Sequence, residues 1–263
     1  MRFFLVLSLW LLGSAASAQG LFSMDSAQDG RGWEAVGRIE IADAAFCTGA
    51  LIGPRLVVTA AHCLFDPDTG LRVPVNEMQF LAGWRNGRAA AYRRVRKAVP
   101  HPGFAYGQEA NADRVRHDLA LIELQHPIRN TTITPFNTDI GPETGDTVGV
   151  VSYAHDRSEA PSLQDTCAVL AHQDGMLVLS CSVDFGASGS PVFRIGADGL
   201  ARMVSIVSSK AEANGAPVAL ATPLQGPLAD LRDALSADRD PGAGLDRLTA
   251  GTRRETGAKF VRP

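Results

Sequence analysis

Three short segments of the chain carry residue types that together can perform nucleophilic chemistry. His62 follows an apolar run ending at Thr59, Asp118 opens a second apolar run, and Ser188 lies within Gly-Ala-Ser-Gly-Ser-Pro. Acyl transfer needs a hydroxyl that attacks, a base that takes its proton and a carboxylate that orients the base. The segments supply one of each, in the order His, Asp, Ser. Asp113, close to Asp118 in the chain, is a competing carboxylate.

The elements that position these segments are predicted to be mostly strands. Short apolar runs bounded by Gly, Pro, Asp or Asn are typical of β-strands. They occur at 56–58, 119–124, 147–151, 176–179, 203–207 and 218–221. One late helix is predicted, because Leu224, Leu228, Leu231 and Leu235 recur at spacings that place them on one helical face. The pattern is all-β, in two halves.

The three segments are similar to those of the chymotrypsin/trypsin-type serine endopeptidases. The sequence Leu-Ile-Gly-Pro-Arg-Leu-Val-Val-Thr-Ala-Ala-His-Cys at 51–63 resembles the family's histidine motif. Gly-Ala-Ser-Gly-Ser-Pro-Val at 186–192 resembles the bacterial branch that includes the glutamyl endopeptidases. Ser-Ile-Val-Ser-Ser-Lys at 205–210 resembles the strand beside the family's specificity pocket. The resemblance implies two six-stranded antiparallel β-barrels with a C-terminal helix, and the active site between them.

Roles follow from the resemblance residue by residue. Ser188 would be the nucleophile, His62 the general base and then the general acid, and Asp118 the residue that orients His62. The backbone N–H groups of Gly186 and Ser188 would form the oxyanion hole. Ser208 matches a family serine that hydrogen-bonds the triad carboxylate from its far side.

The chain departs from the digestive proteases at two places. Ala187 replaces the Asp that pairs with a new N-terminal amine after activation, so that switch is not available. The specificity pocket also lacks both a buried Asp and the His of the glutamyl endopeptidases, whose place Val207 takes. Lys210 either favours acidic groups at the pocket mouth or is a surface lysine, and we favour the second. The predicted pocket residues are Ser182, Val183, Val207, Ser209 and Lys210.

Four cysteines fall into two local groups. Four cysteines allow three pairings, and the grouping favours Cys47 with Cys63 and Cys167 with Cys181. The first pair also brackets the histidine motif at the family's usual disulfide spacing. No Cys-x-x-Cys or His-Glu-x-x-His is present, and the other histidines lack ligand spacing, so neither a metal nor a cofactor is predicted.

The beginning of the chain predicts export. A positive start, an apolar run from Phe3 to Leu12 and the small residues 16–18 are typical of a signal peptide cleaved after Ala18. The run is too short to span a membrane, and no later segment is long enough. The predicted organisation is signal peptide 1–18, mobile leader or propeptide 19–35, first barrel 36–126, connection 127–142, second barrel and helix 143–235, and polar tail 236–263.

Net charge and motif order exclude two other classes of protein. The 263 residues include 25 basic and 28 acidic side chains, a net charge of −3, which gives no general attraction to nucleic acid. An α/β-hydrolase is excluded because its Gly-x-Ser-x-Gly motif is absent and no histidine follows the serine segment. The sequence therefore predicts an exported serine endopeptidase that acts on proteins or peptides without a cofactor, with a monomer favoured. The alternative is a catalytically silent binding protein on the same fold.

Overall fold

The computed structural model describes residues 20–42, 45–107 and 111–237. Among them, six strands close into a first antiparallel barrel in the order β2-β3-β4-β7-β6-β5. Their bounds are β2 Val36–Ile41, β3 Ala45–Gly53, β4 Leu56–Thr59, β5 Met78–Ala82, β6 Ala91–Pro100 and β7 Ala120–Leu124.

A second antiparallel barrel follows. Its order is β9-β10-β13-β12-β11-β8, and β8 pairs again with β9 to close it. A short N-terminal strand, β1 (Phe22–Ser23), pairs with the outside of β9. The remaining bounds are β8 Thr147–Ala154, β9 Arg157–Gln173, β10 Met176–Leu179, β11 Pro191–Ile195, β12 Ala201–Ala213 and β13 Ala216–Pro223. The two-barrel architecture predicted from the sequence is confirmed.

Two α-helices and two 3-10 turns complete the described elements. α1 spans Ala112–Arg116, α2 spans Pro227–Ala237, and the 3-10 turns span Ala61–Leu64 and Val75–Glu77. The leucine spacing predicted α2, whose buried leucines pack it against β6 and β7 of the first barrel. No helix in the described ranges is both long and apolar enough to cross a membrane.

Residue alternation explains why the barrel strands form. In β6 the side chains of Ala91 and Val95 are buried, whereas Tyr92 and Arg96 are exposed. A period of two is what a strand with one face on the core and one in water requires. β7 is buried along its whole length because it lies between β4 and β6 at the junction with α2.

The two disulfides join the cysteine pairs expected from the sequence, Cys47–Cys63 and Cys167–Cys181. The first ties β3 to the 3-10 turn that carries His62. The second lies within the core of the second barrel, where both of its cysteines are buried. Each bridge closes a loop of about 15 residues, which stabilises the fold by about 3 kcal/mol in the chain-entropy account.

Residues 20–35 differ from the mobile leader that their composition suggested. Met24 is fully buried in the core, and its N–H donates to the Pro161 carbonyl at 2.9 Å. Its own carbonyl accepts from Arg85 Nε of the first barrel at 2.7 Å. Trp33 packs edge-on against Phe193 of the second barrel, with ring centres 5.0 Å apart. The segment therefore contacts both barrels. Its polar composition suggested a mobile leader, but a few apolar side chains such as Met24 and Trp33 anchor it.

The predicted signal peptide, including its cleavage site after Ala18, lies outside the described residues. The predicted polar tail begins inside α2, and its residues from 238 onward also lie outside them.

Candidate active site

His62 lies in the 3-10 turn that follows β4. The turn is anchored to the first barrel, because Ala60 and Ala61 are fully buried and Cys63 forms a disulfide with Cys47 of β3. A histidine between two buried anchors has a fixed backbone, while its own side chain is about one-quarter exposed. The imidazole is therefore both positioned and reachable from solvent.

Asp118 follows α1 and is almost completely buried. Its Oδ2 lies 2.7 Å from His62 Nδ1, and its Oδ1 accepts the His62 backbone N–H at 2.9 Å. Ser208 Oγ donates to Oδ2 at 2.5 Å from the opposite side. Asp113 instead pairs with Arg116 at the surface. The structure thus brings Asp118, and not the competing Asp113, to the backbone and ring of His62.

The surroundings of Asp118 keep it ionised. Burial alone would favour its neutral form, but the nearby His62 and the hydrogen bonds from His62 and Ser208 outweigh that effect and lower the pKa of the carboxyl. An ionised carboxylate only accepts hydrogen bonds, so Nδ1 of His62 must carry a proton. In the neutral ring, Nε2 is then the atom that can accept a proton.

Ser188 lies in a tight loop that is pinned to the first barrel. The N–H of Thr48 in β3 donates to the Ser188 carbonyl at 2.9 Å, and Thr48 Oγ1 donates to the Gly186 carbonyl at 3.0 Å. Glycine is required on both sides of the serine. Gly186 and Gly189 have φ of +93° and +76°, and a Cβ at Gly189 would lie only 2.2 Å from Thr59 Oγ1.

The loop leaves two backbone donors available. Among the described residues, neither the N–H of Gly186 nor that of Ser188 has a protein acceptor. Unpaired N–H groups beside a nucleophile are what an oxyanion hole consists of. Ala187 between them is fully buried and uncharged, so an inserted amine would find no carboxylate at this position.

A cavity of about 380 Å³ joins the predicted site residues. His62, Asp118, Ser188 and Ser208 all line it. Four of the predicted pocket residues also line it, namely Val183, Val207, Ser209 and Lys210. The prediction for Ser182 differs: this residue is exposed, does not line the cavity, and donates its N–H to Gln164 Oε1 at 2.9 Å. That bond joins the backbone of Ser182 to β9.

Sequence reasoning missed part of the lining. The missed residues are Pro67, Arg114, Val115, Asp184 and Phe185. Asp184 and Phe185 directly precede the serine loop, and that proximity was the signal that could have found them. Arg114 and Val115 come from α1 and Pro67 from a turn, and no local pattern indicates that these elements approach the cavity.

A cluster of Cys47, His62 and Cys63 has the spacing of a metal site within the described residues. Both sulfurs are joined in a disulfide, so neither is a thiolate that could bind a metal.

Comparison with known proteins places this geometry in a family. The family model described as Trypsin matches residues 22–230, which include all three motif segments. The chain belongs to the trypsin family. Its likeness to the glutamyl endopeptidase branch, predicted from the serine motif, is confirmed by the relatives described next.

Among curated relatives, the glutamyl endopeptidase of Bacillus licheniformis is 28% identical over 151 residues, covering 56% of this chain and 45% of that protein. Coagulation factor IX of Oryctolagus cuniculus is 33% identical over 92 residues, covering 35% of this chain and 30% of that protein. The chain thus spans less than half the length of these relatives. A solved structure, a Glu endopeptidase in complex with MPD, has a TM-score of 0.66 and 16% identity, covering 82% of this chain and 97% of its own; it shows the shared fold.

Proposed function

We propose that this trypsin-family protein is a serine endopeptidase that hydrolyses peptide bonds through an acyl-enzyme on Ser188. The observation that carries the proposal is the network Ser208–Asp118–His62, which opens on the same cavity as Ser188. A buried, ionised carboxylate that fixes the tautomer of a partly exposed histidine has a clear use in proton transfer from a hydroxyl.

The proposed reaction has two steps. Ser188 Oγ attacks the carbonyl carbon while His62 Nε2 takes the hydroxyl proton, and the carbonyl oxygen, now negative, accepts from the N–H groups of Gly186 and Ser188. The C–N bond then breaks, and His62 returns the proton to the departing amine. Water next attacks the ester with His62 again as base, which releases the acid and restores Ser188. Each oxyanion donor contributes about 3 kcal/mol to lowering the barrier.

A peptide-cleavage assay on the mature chain tests the proposal. Ser188→Ala should abolish cleavage, and a nearby serine supplies the matched control. Ser190 is fully buried and its Oγ has no partner among the described residues, so Ser190→Ala should leave cleavage nearly unchanged. Cleavage by Ser188→Ala at the wild-type rate would refute the mechanism.

The alternative, a silent binding protein, predicts a different outcome. Such a protein would bind peptides without cleaving them, in both the wild type and Ser188→Ala. Mass spectrometry of a peptide library after incubation separates the two, because a single new terminus that requires Ser188 establishes hydrolysis.

We also propose that the protein is exported, with cleavage after Ala18. The signal-like sequence at 1–18 supports this, as do the two disulfides, which persist in oxidising compartments. N-terminal sequencing of the protein recovered outside the cytoplasm should begin at Gln19. Recovery only inside the cytoplasm with Met1 retained would contradict the proposal.

A further inference from the structure

The cavity beside Ser188 has mostly apolar walls. Val207 of β12 and Val115 of α1 are nearly fully buried, and Val183 is partly so. The carbonyl carbon of the cleaved bond must come within about 3 Å of Ser188 Oγ. The residue that contributes this carbonyl is called P1 here, and its side chain would then lie in this cavity. An apolar wall stabilises an aliphatic P1 side chain by about 25 cal/mol for each Å² it covers.

Two opposite charges lie at the solvent side of the same cavity. Lys210 Nζ on β12 is 2.9 Å from Asp184 Oδ1 in the turn that precedes Gly186, and both side chains are about half exposed. Nζ also lies 4.2 Å from the centre of the exposed Phe185 ring. The pair therefore joins two walls of the cavity across its entrance. The hydrogen bond from Lys210 lowers the pKa of Asp184, so the carboxylate is ionised at neutral pH.

The remaining ionisable groups of the lining are engaged elsewhere. Asp118 and His62 bond each other within the catalytic network. Arg114 places its Cζ 5.8 Å from the Tyr106 ring centre and 6.0 Å from the Phe104 ring centre. An acidic P1 side chain must therefore compete with Asp184 for Lys210, and a basic one must compete with Lys210 for Asp184. Otherwise the charged group lies unpaired against apolar walls.

We propose that this cavity selects an uncharged aliphatic P1 side chain, and that the Lys210–Asp184 pair excludes both acidic and basic side chains because its two charges cancel. The inference rests on the proposed function, since it names the substrate class of the same site.

Removing one member of the pair should uncover the other. Asp184→Asn leaves Lys210 without its carboxylate partner, so cleavage after Glu relative to Gln should rise about tenfold. Lys210→Met leaves Asp184 without its cation, so cleavage after Lys relative to norleucine should rise about tenfold. Comparing each charged residue with a neutral one of the same shape isolates charge from size. Cleavage after Leu reports that each variant is folded.

The matched control is Asp198→Asn. Asp198 forms an ion pair with Arg202 that lies outside the cavity lining, so its loss should leave both ratios unchanged. A second control separates Lys210 from Arg114: the gain for Glu in Asp184→Asn should vanish when Lys210→Met is added and persist when Arg114→Gln is added. The reverse pattern, or ratios that do not move, would overturn the proposal.

Binding separates this proposal from the proposed function. In the Ser188→Ala background, fluorescence anisotropy of peptides that differ only at P1 should give Leu the highest affinity, with Glu and Lys each about tenfold weaker. If the wild type cleaves nothing but this order holds, only the proposed function fails. If the wild type cleaves after Glu or Lys as well as after Leu, only the specificity proposal fails.

Discussion

Gly189→Ala tests whether the serine loop must lie directly against the first barrel. The residue has a φ of +76°, and its new Cβ would lie 2.2 Å from Thr59 Oγ1 and 2.4 Å from the Thr48 carbonyl oxygen. The left-handed backbone costs about 1–2 kcal/mol for a non-glycine residue. Overpacking against rigid backbone adds about 1–3 kcal/mol. We expect the free energy of unfolding to fall by about 2–5 kcal/mol.

Gly199 provides a control for the backbone component. Its φ is +73°, but a Cβ there meets nothing within 4 Å, so Gly199→Ala should cost about 1–2 kcal/mol only. Urea unfolding gives both free energies. Peptide cleavage should also fall by about 100-fold in Gly189→Ala, because a shift of about 1 Å misplaces the nucleophile. Equal stability losses in the two variants, with full activity in both, would refute the close approach of loop and barrel.

Three further perturbations test other parts of the account. Asp118→Asn should cut cleavage by about 10⁴-fold, because an amide no longer fixes the His62 tautomer. Because the pKa of Asp118 is lowered in the folded protein, its ionisation stabilises the fold above pH ~4, and this contribution is lost as the pH falls further. The free energies of unfolding of the wild type and Asp118→Asn, measured in urea, should therefore converge only below pH ~4. Met24→Ala should lower the free energy of unfolding by about 2–5 kcal/mol, because Met24 is fully buried. Leu21→Ala, at an exposed position, should change it by less than about 0.5 kcal/mol. Equal effects of the two substitutions would show that residues 20–35 are not anchored.

Local patterns predicted much of the fold and indicated the segments of the candidate site. The strand at Met176–Leu179 and the leucine face of α2 were readable because apolar spacing determines which side of an element is buried. The motif segments around His62, Asp118 and Ser188 were readable because each is contiguous in sequence.

Other features could not be read because they depend on distant contacts. Asp184 and Lys210 are 26 residues apart, and only the pairing of barrel strands brings them together. β9 runs for 17 residues through polar positions and Pro161, which no short apolar run indicates. The burial of Met24 follows from contacts with both barrels, so the polar residues around it suggested a loose leader instead.

The central claim is that Ser188 is a nucleophile activated by His62. Fluorophosphonate labelling followed by mass-spectrometric mapping tests it most directly, because the reagent bonds to an activated serine oxygen. We expect modification at Ser188 in the wild type, and a labelling rate reduced by at least about 10⁴-fold in His62→Ala. Modification at another residue, or labelling of Ser188 at the same rate in both proteins, would contradict it.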